Sequence, residues 1–426
     1  MRTAAALSLP TLSLIAACSA EAPDATDLGR QTMALSAPVE VTGFGSNPGA
    51  LKMYKHVPAG LAANAPLVLV LHGCTQGAAD AAKFGFDELA DANGFAVVYP
   101  EQQTANNSLR CFNWAGEFGN PQNLQRGQGE NLSLKQMVDK MIADHGTDPK
   151  RVFVAGFSAG GAEAVLAAAT WPDVFAGAAS LSGIPYNCTT TYIEVSGCQK
   201  PGKDKTAQDW GDRVRAAYSG YAGPWPRMSV WQGSADNTVG TLNRSQIVRQ
   251  WTNLQGIAET PSMSDTVDGA KHDVYKDGGG KIVVESYEIP GMDHGVPVVP
   301  GSGCGVAGSF AFDKGICAAK RVSEFFGIVG GGGSSSSSSS SGASGSDGGS
   351  SGKASSSSGG SSGGGDAGGG GGSSSSSSSS GGNDPKSSGS TCSMHPSSER
   401  SFPWLATACA LGLALVLRRR GARKAG

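Results

Sequence analysis

Apolar positions along this chain follow two spacings that alternate with each other. Short apolar runs bounded by turn residues recur at 67–71, 95–99, 152–155, 228–232 and 282–289, each of a length suited to a buried strand. Between them the spacing changes to that of a helix face, clearest in Leu134, Val138, Met141 and Ile142. Strands alternating with helices predict an α/β fold, a mostly parallel sheet covered by helices on both faces. In such sheets functional groups collect at the carboxyl ends of the strands.

Those ends carry reactive residues. The run at 152–155 opens the stretch VFVAGFSAGGAEAVLAAA, in which Ser158 stands between Gly156 and Gly160 where a strand would turn into a helix. Such a turn thrusts a serine Oγ out of the sheet, and small neighbours two residues away relieve the crowding. A helix N-cap is the plainer reading of the same serine. The run at 67–71 ends in His72-Gly73-Cys74-Thr75-Gln76, a turn able to aim backbone N–H groups at an oxyanion, with His72 as its structural hydrogen-bonder. Asp236 follows the run at 228–232, and His294 follows the run at 282–289. Alone, Asp236 reads as a turn residue and His294 as an ordinary loop residue. Together, Ser158, Asp236 and His294 stand in the chain order of α/β-hydrolases, each just past a separate strand, which predicts an α/β-hydrolase fold with a catalytic triad.

Composition divides the chain. Much of its 64 glycines lies with serine runs in 330–391, a segment with almost nothing apolar to bury and read as a flexible linker. Residues 45–329 hold the Leu, Val, Phe and Trp needed for one α/β-hydrolase catalytic domain. Residues 1–20 resemble a signal peptide, with Arg2 ahead of an apolar run. Ile15-Ala16-Ala17-Cys18 also resembles a lipoprotein box that would lipidate Cys18; both readings lead to export, with 21–44 as an N-terminal linker. At the other end, 402–417 is uncharged and mostly apolar and is followed by Arg418, Arg419 and Arg420. With Thr391-Cys392-Ser393 ahead of it, the segment 392–426 resembles the tripartite sorting signals of myxobacterial surface proteins, which implies an anchor at the cell envelope. A net charge of −2 gives no reason to expect nucleic acid as a partner.

Setting aside Cys18, Cys392 and Cys409 leaves Cys74, Cys111, Cys188, Cys198, Cys304 and Cys317 in the folded part. None has C-x-x-C spacing, and no P-loop, dinucleotide fingerprint or H-E-x-x-H occurs, so neither metal nor cofactor is expected. Short loops favour Cys188 with Cys198 and Cys304 with Cys317, leaving Cys74 for Cys111, although sequence alone keeps other pairings open.

The segments LVLVLHGCTQ, CFNW, RVFVAGFSAGGAEA, SVWQGSADNTV and GMDHGVPV resemble, in this order, the extracellular poly(3-hydroxybutyrate) depolymerase family of esterases. Feruloyl and acetylxylan esterases share much of the pattern, and 304–327 resembles the family's closing disulfide loop and last helix. With the export signals above, an exported monomer is expected, and the resemblance implies an ester hydrolase with Ser158 as nucleophile, His294 as base and Asp236 as its orienter. It implies oxyanion donors at the N–H of Ala159 and, within the His72 turn, of Cys74. A Cys74–Cys111 disulfide would tie that turn to the CFNW loop, where Trp114 either lines the acyl crevice or packs in the core. Three functions are then in view: hydrolysis of a polyhydroxyalkanoate or its oligomers, hydrolysis of feruloyl or acetyl esters on plant polysaccharide, and a non-enzymatic surface protein. The intact Ser158, Asp236 and His294 set argues against the last. Family depolymerases often carry a substrate-binding domain after a linker; here the linker leads to the sorting-signal segment, so soluble oligomers are expected to be better substrates than polymer.

Overall fold

Leu67, Leu69 and Leu71 point to one hydrophobic core and Val68 and Val70 to another, the period of two expected of a strand buried on both faces. The computed structural model describes residues 37–116 and 121–330. The expected signal peptide with Cys18, the linker beyond Gly330 and the sorting segment with Cys392 and Cys409 lie outside the described residues.

In chain order the elements are β1 (Val39–Val41), β2 (Lys52–His56), β3 (Leu67–Leu71), α1 (Ala78–Ala81), α2 (Phe86–Asn93), β4 (Ala96–Glu101), α3 (Gly129–His145), β5 (Val152–Phe157), α4 (Ala159–Thr170) and β6 (Gly177–Leu181). There follow α5 (Val195–Gln199), α6 (Ala207–Ala217), β7 (Arg227–Gly233), α7 (Leu242–Gln255), β8 (Met263–Val267), β9 (Ala270–Lys276), β10 (Ile282–Ile289), β11 (Val296–Val298), β12 (Ala311–Asp313) and α8 (Ala318–Phe326). Ten strands form one sheet in the order β1-β2-β4-β3-β5-β6-β7-β10-β9-β8. The middle, from β4 to β10, is parallel throughout, and both margins turn antiparallel. β11 and β12 make a separate parallel pair.

One core joins Leu67 and Leu69 to Leu134, Met137, Val138 and Met141 of α3, Val165 of α4, and Ile247 and Trp251 of α7. The other joins Val68 and Val70 to Phe86 and Ala90 of α2 and to Val322, Phe325 and Phe326 of α8. Helices thus cover both faces, as in the α/β-hydrolase fold. The sheet also takes in residues 39–41 from the segment expected as linker, because β1 completes the hydrogen bonding of the exposed edge of β2.

Strand β6, GAASL, escapes the periodicity. Its first four residues are small because both faces are crowded: a Cβ on Gly177 would touch the Phe326 ring at 3.3 Å, and Ser180 Oγ donates to Gly161 O of α4 at 3.0 Å.

Candidate active site

Strand β5 runs to Phe157 and α4 begins at Ala159, so the whole reversal falls on Ser158, whose φ is 56°. A residue with a side chain takes up such a conformation only where its surroundings hold it there. They do so from both sides: Ser158 N–H donates to Leu181 O at the end of β6, and Ser158 O accepts from Ala162 N–H, both at 2.9 Å. The glycines leave room for this packing. A Cβ on Gly156 would meet the carbonyl of Gly160, and one on Gly160 would lie 2.5 Å from the carbonyl oxygens of Leu71 and His72.

The structure brings Ser158, Asp236 and His294 together. Ser158 Oγ donates to His294 Nε2 at 2.9 Å, and His294 Nδ1 donates to Asp236 Oδ2 at 2.8 Å. Asp236 and His294 are buried, while Ser158 is half-buried. Asp236 Oδ1 accepts the N–H groups of Thr238 and Val239 at 2.9 and 2.8 Å, and its Oδ2 also accepts from Gln232 Nε2 at 2.7 Å. Two loops are clipped together to hold this geometry. Asp293 Oδ1 accepts the N–H of Asn237 at 3.0 Å and of His294 at 2.8 Å, and these two bonds keep its carboxyl below the usual carboxylate range. The imidazole of His294 rests 4.7 Å from the ring of Phe157 and 6.2 Å from that of Phe310, a residue of the 304–317 loop.

His72 shapes the neighbouring turn. Gln102 N–H donates to its Nε2 at 3.0 Å, so the proton sits on Nδ1, which donates to Gly73 O at 2.7 Å. Burial pulls its pKa down to about 4, which keeps the ring neutral. With the Gly73 carbonyl fixed on the imidazole, the Cys74 N–H on the opposite edge of the same planar peptide points away from it. Neither Cys74 N–H nor Ala159 N–H finds a backbone acceptor among the described residues, and Ala159 opens α4, where the helix dipole favours negative charge.

Behind the turn stands Glu130, a buried carboxylate in the first turn of α3. It accepts from Gln102 Nε2 at 2.6 Å, from Asn113 N–H at 2.9 Å and from Asn113 Nδ2, joining the His72 turn to the CFNW loop. A disulfide between Cys74 and Cys111 makes the same connection covalently; two others pair Cys188 with Cys198 and Cys304 with Cys317. Trp114 is buried in a small apolar cluster with Ala159, Ile184, Trp210, Val239 and the Cys188–Cys198 bridge, against which Cys74 and Cys111 pack. Among the described residues there is no group of His, Cys, Asp or Glu side chains able to hold a metal ion.

Gln232, Glu130, Gln102 and Asn113 were not singled out by the sequence. For Gln232 a signal existed, since an amide in a strand buried on both faces requires a partner.

A model of the family described as "Esterase PHB depolymerase" matches residues 51–271. The poly(3-hydroxyalkanoate) depolymerase C of Paucimonas lemoignei is 51% identical over 294 residues, which cover 68% of this chain and 70% of that protein. The feruloyl esterase B of Talaromyces stipitatus is 31% identical over 266 residues, covering 61% and 72% of the two chains. Among solved structures, the acetyl xylan esterase from Aspergillus awamori aligns with a TM-score of 0.58 at 26% identity, covering 69% of this chain and 100% of that one.

Proposed function

The chain belongs to the PHB depolymerase family of esterases, and from that membership we propose that it is a serine esterase cleaving short 3-hydroxyacyl esters of the kind released from polyhydroxyalkanoates. The observation that carries the substrate is the level of identity: 51% with a poly(3-hydroxyalkanoate) depolymerase against 31% with a feruloyl esterase.

Chemistry follows from the hydrogen bonds. A serine hydroxyl is a weak nucleophile, and the lone pair of His294 Nε2 accepts its proton as Oγ attacks the ester carbonyl. Asp236 holds the Nδ1–H tautomer and stabilises the imidazolium that forms. The carbonyl oxygen, now negative, is met by the N–H groups of Ala159 and Cys74. His294 then returns the proton to the departing alkoxide, leaving an acyl group on Ser158. Water, activated by the same imidazole, releases the acid and restores the serine. Trp114 and Ile184, next to Ala159 in the apolar cluster, are suited to line the acyl side.

Three disulfides fit export to an oxidising compartment. A second reading, a feruloyl or acetylxylan esterase, is favoured by the feruloyl esterase relative and by the full coverage of the acetyl xylan esterase structure. Side-by-side kinetics on 3-hydroxybutyrate trimers, methyl ferulate and acetylated xylan separate the two. The first reading expects kcat/KM on trimers at least about tenfold above the others, equivalent to about 1.4 kcal/mol of transition-state binding. The opposite order favours the second. Turnover of crystalline granules as fast as of trimers would count against an oligomer preference.

A further inference from the structure

Gln232 lies near the end of β7 and is buried. Its Nε2 donates to Asp236 Oδ2 at 2.7 Å and to Val239 O at 3.1 Å. Both neighbours are acceptors, so the NH₂ end of the amide has to face them. Its Oε1 is then turned to the other side, where it meets no donor among the described residues. A buried amide oxygen without a donor is unfavourable, and an apolar side chain of the same length would avoid it. Packing therefore does not explain a glutamine here.

The hydrogen bond does. His294 Nδ1 and Gln232 Nε2 share one oxygen of Asp236, while two backbone N–H groups fill the other. We propose that Gln232 is a positioning residue for catalysis: its amide fixes Asp236 Oδ2 in line with the imidazole and spreads that oxygen's charge, so that His294 both takes and gives up the serine proton readily. This rests on the Ser158, His294 and Asp236 reading given above.

Removing the amide has two consequences. Oδ2 is left with one donor and more mobility, and its undivided charge grips the imidazolium more strongly. The serine proton, once taken, is then given up less readily, and the loss of rate is expected to be greatest on the acidic side of the profile. Charged side chains bonded to these two loops include Asp293, which accepts the His294 backbone N–H, and Lys200, whose Nζ donates to Asn237 O; both remain in the variants below.

The test compares Gln232→Met, Gln232→Glu and Ser158→Ala in the full-length protein on a soluble chromogenic short-chain ester, with melting curves for each. Gln232→Met is expected to keep KM within about twofold while kcat falls about ten- to a hundredfold, the effect of one charge-assisted hydrogen bond. Its activity relative to the parent falls further as the pH is lowered. Gln232→Glu is expected to run the other way. At neutral pH the new carboxylate repels Asp236 and activity is poor; on acidification it protonates, donates to Oδ2 in place of the amide, and its activity relative to the parent recovers. Parent-like kcat in both variants, or losses with the parent's pH profile in both, would overturn the proposal. If the Met variant does not fold, the trend of the isosteric Glu variant decides alone. An active Ser158→Ala protein would instead sink the triad reading itself, whereas an inactive one beside parent-like Gln232 variants would sink only the role of Gln232.

Discussion

The carbonyl oxygen of Gly160 occupies the place where a side chain on Gly156 would begin. Gly160 in turn lies so close to the carbonyls of Leu71 and His72 that α4, β5 and β3 meet backbone to backbone. The turn that carries Ser158 is held by contacts that tolerate no methyl group.

Gly160→Ala therefore pushes the start of α4 away from β3 and moves Ser158 and the Ala159 N–H together. A misplacement on the order of 1 Å is enough for roughly a hundredfold loss in kcat/KM. Steady-state kinetics with calorimetry checks this; activity within about threefold of the parent would show that the turn relaxes without harm.

Ser158→Ala removes the Oγ of a half-buried residue and no core volume. Esterase activity is expected to fall by on the order of a millionfold with the melting temperature nearly unchanged. Mass spectrometry of the parent stopped during turnover should find the acyl group on the peptide that holds Ser158, and a different labelled peptide would reassign the nucleophile.

Two buried groups give stability opposite pH dependences. His72 is held down at about 4 against an ordinary 6.5, so its contribution is complete above pH 6.5 and is lost as the pH falls towards 4. Asp87, buried and accepting from Tyr99 OH at 2.5 Å, is raised by burial from 3.8 to about 6, so its contribution is present below pH 3.8 and is lost as the pH rises through 6. Asp87→Asn should then be the more stable protein above pH 7, by on the order of 2 kcal/mol, and the two should converge near pH 4. Urea unfolding at both pH values measures the difference; a constant gap would exclude Asp87 as its source.

Peptide mapping without reduction should return Cys74 with Cys111, Cys188 with Cys198 and Cys304 with Cys317. Replacing Cys74 and Cys111 by serine is expected to lower stability by about 2 to 4 kcal/mol. It should also lower kcat by about tenfold or more, because the Cys74 N–H loses half of its support. Unchanged kcat in a destabilised variant would place the second oxyanion donor elsewhere.

The parts of the molecule that could be read from sequence share one property: burial of large apolar side chains in a fixed period. β3, β5, β7 and β10 have it, and once their ends were located, Ser158, Asp236 and His294 fell at equivalent places. β6 lacks it because Phe326 and α4 leave space only for small residues. β9 hides it because His272 and Asp273 point inward as ion-paired groups, His272 Nδ1 lying 2.8 Å from Asp265 and Asp273 lying 2.9 Å from Lys271. The roles of Gln232 and Glu130 were harder to read for a related reason, although the buried amide of Gln232 already called for a partner. Each is a polar side chain whose worth depends on partners remote in sequence, or on a loop whose course no local pattern gives.

Every residue of α4 is buried, from Ala159 to Thr170, so Ser158 is mounted at the head of a helix with no outer surface. For an engineer this separates the molecule into a fixed chassis and an adjustable rim. No surface substitution can reach the serine through its own helix, and any volume added there has to be taken out of the sheet or of the helices outside it. Changes of substrate range have to be sought instead in the connections that leave the strand ends, at 102–128, 182–206 and 290–317. Each of these contains a cysteine of a disulfide, which gives libraries built there a covalent boundary within which loop length and sequence can be varied.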